Sequence, residues 1–242
     1  MELAGKAVLI TGGTSGIGLA LARACMRAQA RVAVCARSRG GLDAFAAELP
    51  GALALQCDVT DAAAQTRLLA SVEQRLGGLD VLVSNAGVLV EHDFMRENAA
   101  PDTLAAEIDL NLTAPIQLAA AALARFPGLG ALVFVSSGFA LVAPRRAPVY
   151  GAAKAGLHAF ARSLRRQAGA HGVLVLEVLP PVVDTPSTAH RAVKKMSPES
   201  VAEATLRALA ARRDEALLGE VRFLPGLLRV APRWIEAMVA RG

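Results

Sequence analysis

The chain is poor in the features that mark secreted and membrane proteins. Its 242 residues include three cysteines, Cys25, Cys35 and Cys57, with no CxxC spacing. We therefore expect no structural disulfide and no metal site, and interpret Cys35 and Cys57, which fall inside apolar runs, as small buried residues. There is no signal-peptide pattern at the N-terminus and no apolar run of the roughly 20 residues that span a bilayer. These absences predict a cytoplasmic protein without an integral membrane segment.

Charged residues are also few, at 19% of the chain, and the basic excess is spread along it. The net charge is +5 and the isoelectric point is about 9.6. A nucleic-acid-binding protein normally concentrates its basic residues on one helix or stripe. Since no such cluster is present, we expect no nucleic-acid partner, although the charge leaves a nucleic-acid binder as an alternative hypothesis.

What the chain does have is ample apolar sequence, 54% of all residues, in an alternating pattern. Apolar runs that read as buried strands alternate with stretches of helical length. This pattern predicts an α/β fold of Rossmann type, with a doubly wound parallel sheet between two layers of helices. Because no linker interrupts it, residues 1–242 should form a single domain. The predicted strands cover residues 7–10, 32–35, 52–56, 81–83, 132–135 and 173–178.

The C-terminal part follows the pattern less closely. A helix should begin near Pro198, since proline is favoured at the first helical position. We predict an edge strand near 216–221 and a last helix over 232–240 with an apolar face. That helix could pack on the core, on a second subunit or on a membrane surface, and packing within the protein or an oligomer is favoured.

A glycine-rich turn follows the first predicted strand and precedes a helix. Glycines there permit a tight turn and a close approach of the backbone to a phosphate, and the helix N-terminus offers free N–H groups to an anion. The spacing is G-x-x-x-G-x-G. A turn without a ligand is the alternative, but the position between strand and helix favours a dinucleotide site made by Gly12, Thr14, Ser15, Gly16, Ile17 and Gly18.

Arg37 stands at the end of the second predicted strand, where an NAD site often has an acidic residue for the ribose 2′-hydroxyl. The residue before it is the neutral Ala36. A guanidinium suits a 2′-phosphate through paired hydrogen bonds, so we predict NADP(H) over NAD(H). An exposed arginine without a role is the alternative.

Two further positions fit a dinucleotide site. Asp58, just past the third strand, could accept a hydrogen bond from an adenine amino group or cap the next helix, a task that Asp61 fits as well. The small residues Asn85, Ala86 and Gly87 follow the fourth strand. They would let the backbone lie against a flat ring, with Asn85 bracing neighbouring strands.

Tyr150 is the only tyrosine in the chain, and Lys154, one of four lysines, follows it by four residues. That spacing places both side chains on one helix face, one turn apart. By chance it would arise in about 2% of such chains, so the pair alone is a weak motif. It is strengthened by Ser137, 13 residues before Tyr150.

Taken together, these motifs resemble those of the classical short-chain dehydrogenase/reductase family. The likeness covers residues 2–185 and includes Asn111, in order and spacing with the motifs above. Within the family, residues 9–21, 147–165 and 179–186 are most similar to small reductases related to the one encoded in the lipoteichoic acid D-alanylation operon.

The resemblance implies a hydride transfer between NADP(H) and a carbonyl or alcohol substrate. Tyr150 would be the general acid or base, and Ser137 would hydrogen-bond the substrate oxygen. Lys154 would hold the nicotinamide ribose and lower the pKa of Tyr150, which is about 10 when free. Asn111 would hold a water that links Lys154 to solvent. A cofactor-binding sensor or scaffold with little turnover is the alternative, which this proton-handling set disfavours.

The resemblance also implies further cofactor contacts and an oligomer. The contacts would come from Val59, Pro180, Val183 and Thr185. The family usually has Pro-Gly where this chain has Pro180-Pro181, and Pro181 fixes φ and removes an N–H. A homodimer or homotetramer would form through helices around residues 111–125 and 149–167.

The substrate side is predicted from two loops, residues 138–149 and a lid segment over 186–200. Both contain cations that would attract an acidic substrate, although a solvated face is the commoner reason for such charges. These cations are Arg145, Arg146, His190, Arg191, Lys194 and Lys195. The residues that would line an apolar pocket are Val88, Leu89, Phe94, Phe139 and Leu141.

Overall fold

The computed structural model describes residues 1–96 and 99–239 of the chain. Its centre is a seven-stranded sheet in the order β3-β2-β1-β4-β5-β6-β7, in which all neighbouring strands are parallel. The strand order reverses between β1 and β4, as in doubly wound folds. The strands are β1 (Ala7–Thr11), β2 (Arg31–Ala36), β3 (Leu53–Gln56), β4 (Val81–Ser84), β5 (Ala131–Val135), β6 (Leu174–Leu179) and β7 (Glu215–Leu217).

Helices cover both faces of this sheet, which confirms the predicted α/β fold. One core lies between the sheet and α1, α2 and α7, and the other lies between the sheet and α3, α5 and α6. The helices are α1 (Gly16–Arg27), α2 (Arg39–Glu48), α3 (Ala62–Leu76), α4 (Pro101–Ile108), α5 (Ala114–Arg125), α6 (Pro148–Ala168), α7 (Pro198–Ala210), α8 (Leu224–Val230) and α9 (Pro232–Val239).

The inner strands β1, β4 and β5 are buried at every position. Apart from the terminal Thr11 and Ser84 they consist of apolar residues, as expected for strands covered on both faces. On β1, Leu9 packs into one core while Val8 and Ile10 pack into the other. The first six predicted strands agree with the observed ones to within one residue at each end. Two cores that share one sheet form a single domain.

The C-terminal part differs from the prediction in one element. The strand expected near 216–221 ends at Leu217, and a 3₁₀ turn occupies Gly219–Phe223. Gly219 has φ +54°, a left-handed conformation that takes the chain out of the extended direction. The start of α7 at Pro198 agrees with the prediction.

The predicted last helix is α9, with position 240 outside the described residues. Of its apolar side chains, Ile235 is buried, while Trp234 and Met238 are 64% and 47% exposed. Among the helices described here, none is both long and apolar enough to cross a membrane.

The sheet packing can be tested at Phe134 on β5, which is fully buried and lies edge-on to Phe160 of α6 at 5.8 Å between ring centroids. Replacing it with alanine leaves a large cavity, so we expect Phe134→Ala to lower the free energy of unfolding by about 3–5 kcal/mol in urea denaturation. The matched control is Phe94→Ala, at a residue 47% exposed, which should cost less than about 1 kcal/mol. Equal losses in the two variants would contradict the placement of the core.

Candidate active site

One cavity of about 1160 Å³ lies at the carboxyl ends of the strands, where the strand order reverses. Ligands of doubly wound sheets bind at this place. Sixteen of the predicted site residues line it: Gly12, Thr14, Ser15, Gly16, Ile17, Arg37, Val59, Asn85, Ala86, Gly87, Ser137, Tyr150, Lys154, Pro180, Val183 and Thr185. The other three, Gly18, Asp58 and Asn111, are not among the lining residues, and each has a different local role.

The glycines of the first turn are needed for two different reasons. Gly12 and Gly16 have φ values of +64° and +50°, which residues other than glycine rarely adopt. Gly18 has an ordinary φ, but a Cβ there would lie 2.1 Å from the carbonyl oxygen of Gly12. Gly18 therefore allows α1 to pack against the turn and does not itself face the cavity.

The N-terminus of α1 faces the cavity with its amides available. Ser15, the residue before the helix, is extended and makes no side-chain capping hydrogen bond within the described part of the chain. Free N–H groups at a helix N-terminus bind anions such as a pyrophosphate. On the opposite wall, Thr185 approaches so closely that a Cβ on Gly16 would lie 2.9 Å from its Cγ2.

Asn85 fastens β4 to the glycine-rich turn, as predicted for a strand brace. Its Nδ2 donates to the carbonyl oxygens of Thr11 and Gly12 at 2.9 and 3.2 Å. In return, the hydroxyl of Thr11 accepts from the backbone N–H groups of Asn85 and Ala86, both at 3.0 Å. These bonds place the loop after β4 directly beside the turn.

The end of β2 brings Arg37 and Ser38 to one end of the cavity. Asp58 lies nearby but its carboxylate accepts hydrogen bonds from the backbone and hydroxyl of Thr60, at 3.0 and 2.7 Å. These bonds, helped by the charge of Arg37, lower the pKa of Asp58. Asp58 therefore stabilises its own turn, and Asp61 caps α3 by accepting from Ala63 at 2.8 Å.

Tyr150 and Lys154 lie one turn apart on α6, at the opposite end of the cavity from Arg37. Lys154 Nζ is 5.6 Å from the centre of the Tyr150 ring and donates to the carbonyl oxygen of Val135 at 3.2 Å. Ser137 Oγ accepts from the backbone N–H of Phe139 at 3.1 Å, and the Phe139 ring stands edge-on to Tyr150. The three predicted side chains are thus brought together.

Burial shifts the two titratable groups in opposite directions. It raises the pKa of Tyr150 to about 12, against smaller effects of hydrogen bonding to Ser137 and of the charge of Arg191. It lowers the pKa of Lys154 to about 8, against the charge of Glu177. For the protein's own groups, desolvation of the phenolate outweighs the hydrogen bond to Ser137 and the charge of Arg191. The lowering of the Tyr150 pKa by Lys154 together with a bound oxidised nicotinamide stays a prediction.

Asn111 lies in a π-helical turn, Asp109–Thr113, between α4 and α5. It is fully buried, and its amide donates to the carbonyl oxygens of Val88 and Glu107 at 2.8 and 2.9 Å. A Cβ on Gly87 would lie 2.8 Å from Asn111 Oδ1 and 3.6 Å from Lys154 Nζ. Asn111 therefore holds the loop that forms the cavity wall next to Lys154.

The segment after β6 contains Pro181, and the backbone just beyond this proline pairs with the backbone of Met196. Backbone bonds join Asp184 N to Met196 O and Met196 N to Val182 O, both at 2.9 Å. The missing N–H of Pro181 is not needed for this pairing, and Pro181 itself lines the cavity. The same bonds close the predicted lid at its base, and residues 198–200 belong to α7 rather than to the lid.

The substrate side of the cavity is mainly apolar, with few of the predicted cations. Among the six cations singled out in the two loops, Arg191 is the one that lines it. Of the predicted apolar set, Val88, Leu89 and Phe139 line it, whereas Phe94 and Leu141 do not. A further wall of the cavity was not predicted, and the helical spacing of its apolar residues is its one signal in the sequence. Its residues are Phe223, Leu224, Leu227, Met238 and Val239.

One cluster of metal-ligating side chains lies behind the site, where no metal was predicted. Ligand atoms of His158, Glu177 and Glu215 are within 4.8 Å of one another. His158 Nδ1 lies 2.7 Å from Glu177, which raises the pKa of His158, and Glu215 lies 3.4 Å from the guanidinium of Arg165.

With this geometry established, the chain can be compared with known proteins. Residues 6–195 match the sequence profile of the short chain dehydrogenase family. The chain is 38% identical over 188 residues to the uncharacterized oxidoreductase DltE of Bacillus subtilis, which covers 76% of this chain and 74% of DltE.

Two other similarities extend over more of the chain. A fatty acyl-CoA reductase of Mycobacterium tuberculosis is 31% identical over 258 residues, covering 100% of this chain and 86% of that protein. The crystal structure of a variant actinorhodin polyketide ketoreductase with NADPH superposes with a TM-score of 0.81 at 28% identity, covering 89% of this chain and 97% of the other.

The burial of Lys154 predicts a pH dependence of stability. Its pKa is about 8 in the folded protein and 10.5 normally, so the unfolded chain binds more protons between these values. Stability should therefore rise with pH. We expect the free energy of unfolding of the wild type, relative to Lys154→Met, to increase by on the order of 2 kcal/mol between about pH 8 and pH 10.

The control for this effect is Lys194→Met, because Lys194 is exposed. Relative to that variant, the wild type should show no such rise in urea denaturation. A flat difference between the wild type and Lys154→Met would contradict the burial of the ammonium group.

Proposed function

The chain belongs to the short-chain dehydrogenase family, and we propose that it transfers a hydride between NADP(H) and a carbonyl or alcohol substrate. The observation that carries this proposal is the convergence of Ser137, Tyr150 and Lys154 on the same cavity as the glycine-rich turn. One end of the cavity suits the adenosine and pyrophosphate of a dinucleotide. The other end holds a proton donor, Tyr150, beside a cation, Lys154.

The residues at the first end fit an adenosine with a 2′-phosphate. The amides before and at the start of α1 suit the pyrophosphate. Arg37 lines the cavity and makes no ion pair with any residue that the structure describes, so its guanidinium is available for a phosphate. Ser38 lies beside it with a hydroxyl. This pair favours NADP(H) over NAD(H).

The residues at the second end fit a nicotinamide and its ribose. Asn85, Ala86 and Gly87 offer a wall of small side chains, and Pro180, Val183 and Thr185 would contact the ring from the other side. Lys154 would hold the ribose hydroxyls. When bound, the cofactor supplies the hydride for reduction or accepts it in the reverse direction.

Tyr150 is the general acid or base in the proposed reaction. With a pKa of about 12, the phenol is protonated at neutral pH and is able to donate to a carbonyl oxygen as it gains electron density. Ser137 would hydrogen-bond the same oxygen, and the charge of Lys154 would stabilise the phenolate that forms. Asn111, through the loop it holds, would support a water path from Lys154 to solvent.

We propose that copies of the chain associate through α5 and α6, the two helices next to the site. Partly exposed apolar side chains lie on α5 and α6, among them Leu123, Phe160 and Leu164. Pairing of these faces between copies would give a homodimer or homotetramer and would hold α6, which bears Tyr150 and Lys154, in place.

Catalysis, as opposed to cofactor binding alone, is tested by Tyr150→Phe. This variant removes the proton donor and leaves the ring, so we expect NADPH affinity within threefold of the wild type. Oxidation of NADPH by a panel of aldehydes and ketones should fall by about 10²–10⁴-fold. Wild-type rates in the variant would contradict the role of Tyr150, and a wild type that binds NADPH without turning over any carbonyl compound would favour a sensor.

The cofactor preference is tested by Arg37→Ala in a fluorescence titration with NADPH and NADH. Loss of the phosphate contact should weaken NADPH binding by at least about tenfold, or about 1.4 kcal/mol, with NADH binding changed by less than about threefold. Arg39→Ala is the matched control, since Arg39 is 78% exposed, pairs with Asp43 and does not line the cavity. Equal weakening of both cofactors by Arg37→Ala would overturn the preference.

A further inference from the structure

We propose that the substrate carries a carboxylate group bound by Arg191, so that the reacting compound is an oxo acid or hydroxy acid with an apolar body. This inference rests on the proposed function and adds the substrate class. Of the six loop cations that the sequence associates with an acidic substrate, Arg191 is the one that lines the described cavity.

Arg191 is fixed in the wall close to the reacting end of the cavity. Its side chain is 15% exposed, and its backbone N–H donates to the carbonyl oxygen of Thr188 at 3.0 Å, at the end of the 3₁₀ turn Pro186–Thr188. Arg191 and Tyr150 line the same cavity, and the charge of Arg191 acts to lower the pKa of the Tyr150 phenol. A substrate held by Arg191 in this cavity would therefore be within reach of Tyr150.

The charge of Arg191 is only partly balanced by the protein. Its Nη2 donates to Glu91 Oε1 at 2.6 Å, and the other oxygen of Glu91 lies 3.1 Å from Arg146 Nε. His190 is 3.9 Å from the same carboxylate. One carboxylate thus serves two guanidinium groups, and a net positive charge remains in the wall.

The guanidinium also retains unused donor capacity. It carries five N–H donors, of which one, on Nη2, is bound to Glu91. Nε is buried without a partner among the described residues, so a ligand in the cavity would meet the N–H groups of Nη1 and Nη2. A substrate carboxylate would bring charge-assisted hydrogen bonds to a group that is already held in place.

The rest of this region indicates an apolar substrate body. Its wall is formed by Val88, Leu89 and Phe139 on one side and by Leu224 and Leu227 of α8 on another. Low-polarity walls strengthen a charge pair relative to water. Glu220 is the one acidic residue among those that line the described cavity.

The test uses two oxo acids, 2-oxo-4-phenylbutanoate and 4-oxo-4-phenylbutanoate, each compared with its neutral methyl ester. Oxidation of NADPH gives kcat/KM for all four compounds. We expect the wild type to prefer at least one acid over its ester by at least about tenfold. Arg191→Gln should reduce that acid-to-ester ratio by at least about tenfold, or about 1.4 kcal/mol.

The matched control is Arg146→Gln, which removes an ion pair with the same Glu91 from outside the cavity wall. It should leave the acid-to-ester ratio within about threefold of the wild type. Arg191→Lys, which keeps the charge and loses the planar fork, should give an intermediate ratio. NADPH affinity and thermal unfolding of each variant verify that the fold and the cofactor site are intact.

Several results would overturn the inference. They are a wild-type preference for the esters, no turnover of either acid by a protein that binds NADPH, or the same change of ratio in Arg146→Gln as in Arg191→Gln. A wild type that reduces the esters but not the acids would remove this inference and leave the proposed function standing. Failure to bind NADPH would remove both.

Discussion

The close contact between Gly12 and Gly18 is the constraint on which the cofactor end of the site depends. With a Cβ position 2.1 Å from a carbonyl oxygen, only glycine lets α1 begin directly above the carboxyl end of β1. This placement aims the free amides of α1 into the cavity. Asn85 then fixes the loop after β4 to the same turn. The geometry of this end therefore follows from one packing contact and two hydrogen bonds.

The catalytic end depends on the burial of Lys154 beside the partly buried Tyr150. Lys154 is almost fully buried, and within the described part of the chain its ammonium group makes one hydrogen bond, to the carbonyl oxygen of Val135. The charge of Glu177 favours its protonated form. Burial of an ammonium is costly, and the same burial keeps the phenol of Tyr150 protonated. The buried ammonium lowers the stability of the fold, but it holds a cation next to the proton donor Tyr150. Such an arrangement is typical of catalytic sites.

Much of the fold and of this site could be predicted from the sequence, because the signals are local. Strands buried on both faces are continuous apolar runs, the glycine spacing specifies the turn, and an i, i+4 spacing places Tyr150 and Lys154 together. The remaining features depend on tertiary packing. Whether Arg145 or Arg191 faces the cavity depends on how two loops meet at Glu91, and the direction of the Tyr150 shift depends on burial. The wall from α8 and α9 depends on how the C-terminal helices return to the sheet.

A crystal structure of the complex with NADP⁺ would test most directly whether one cavity holds NADP(H) at the glycine-rich turn and presents it to Tyr150. We predict the pyrophosphate at the N-terminus of α1, the 2′-phosphate within hydrogen-bonding distance of Arg37, and the nicotinamide ring between Gly87 and Val183 with Lys154 on its ribose. A nucleotide bound elsewhere, or one whose nicotinamide lies away from Tyr150, would contradict the account.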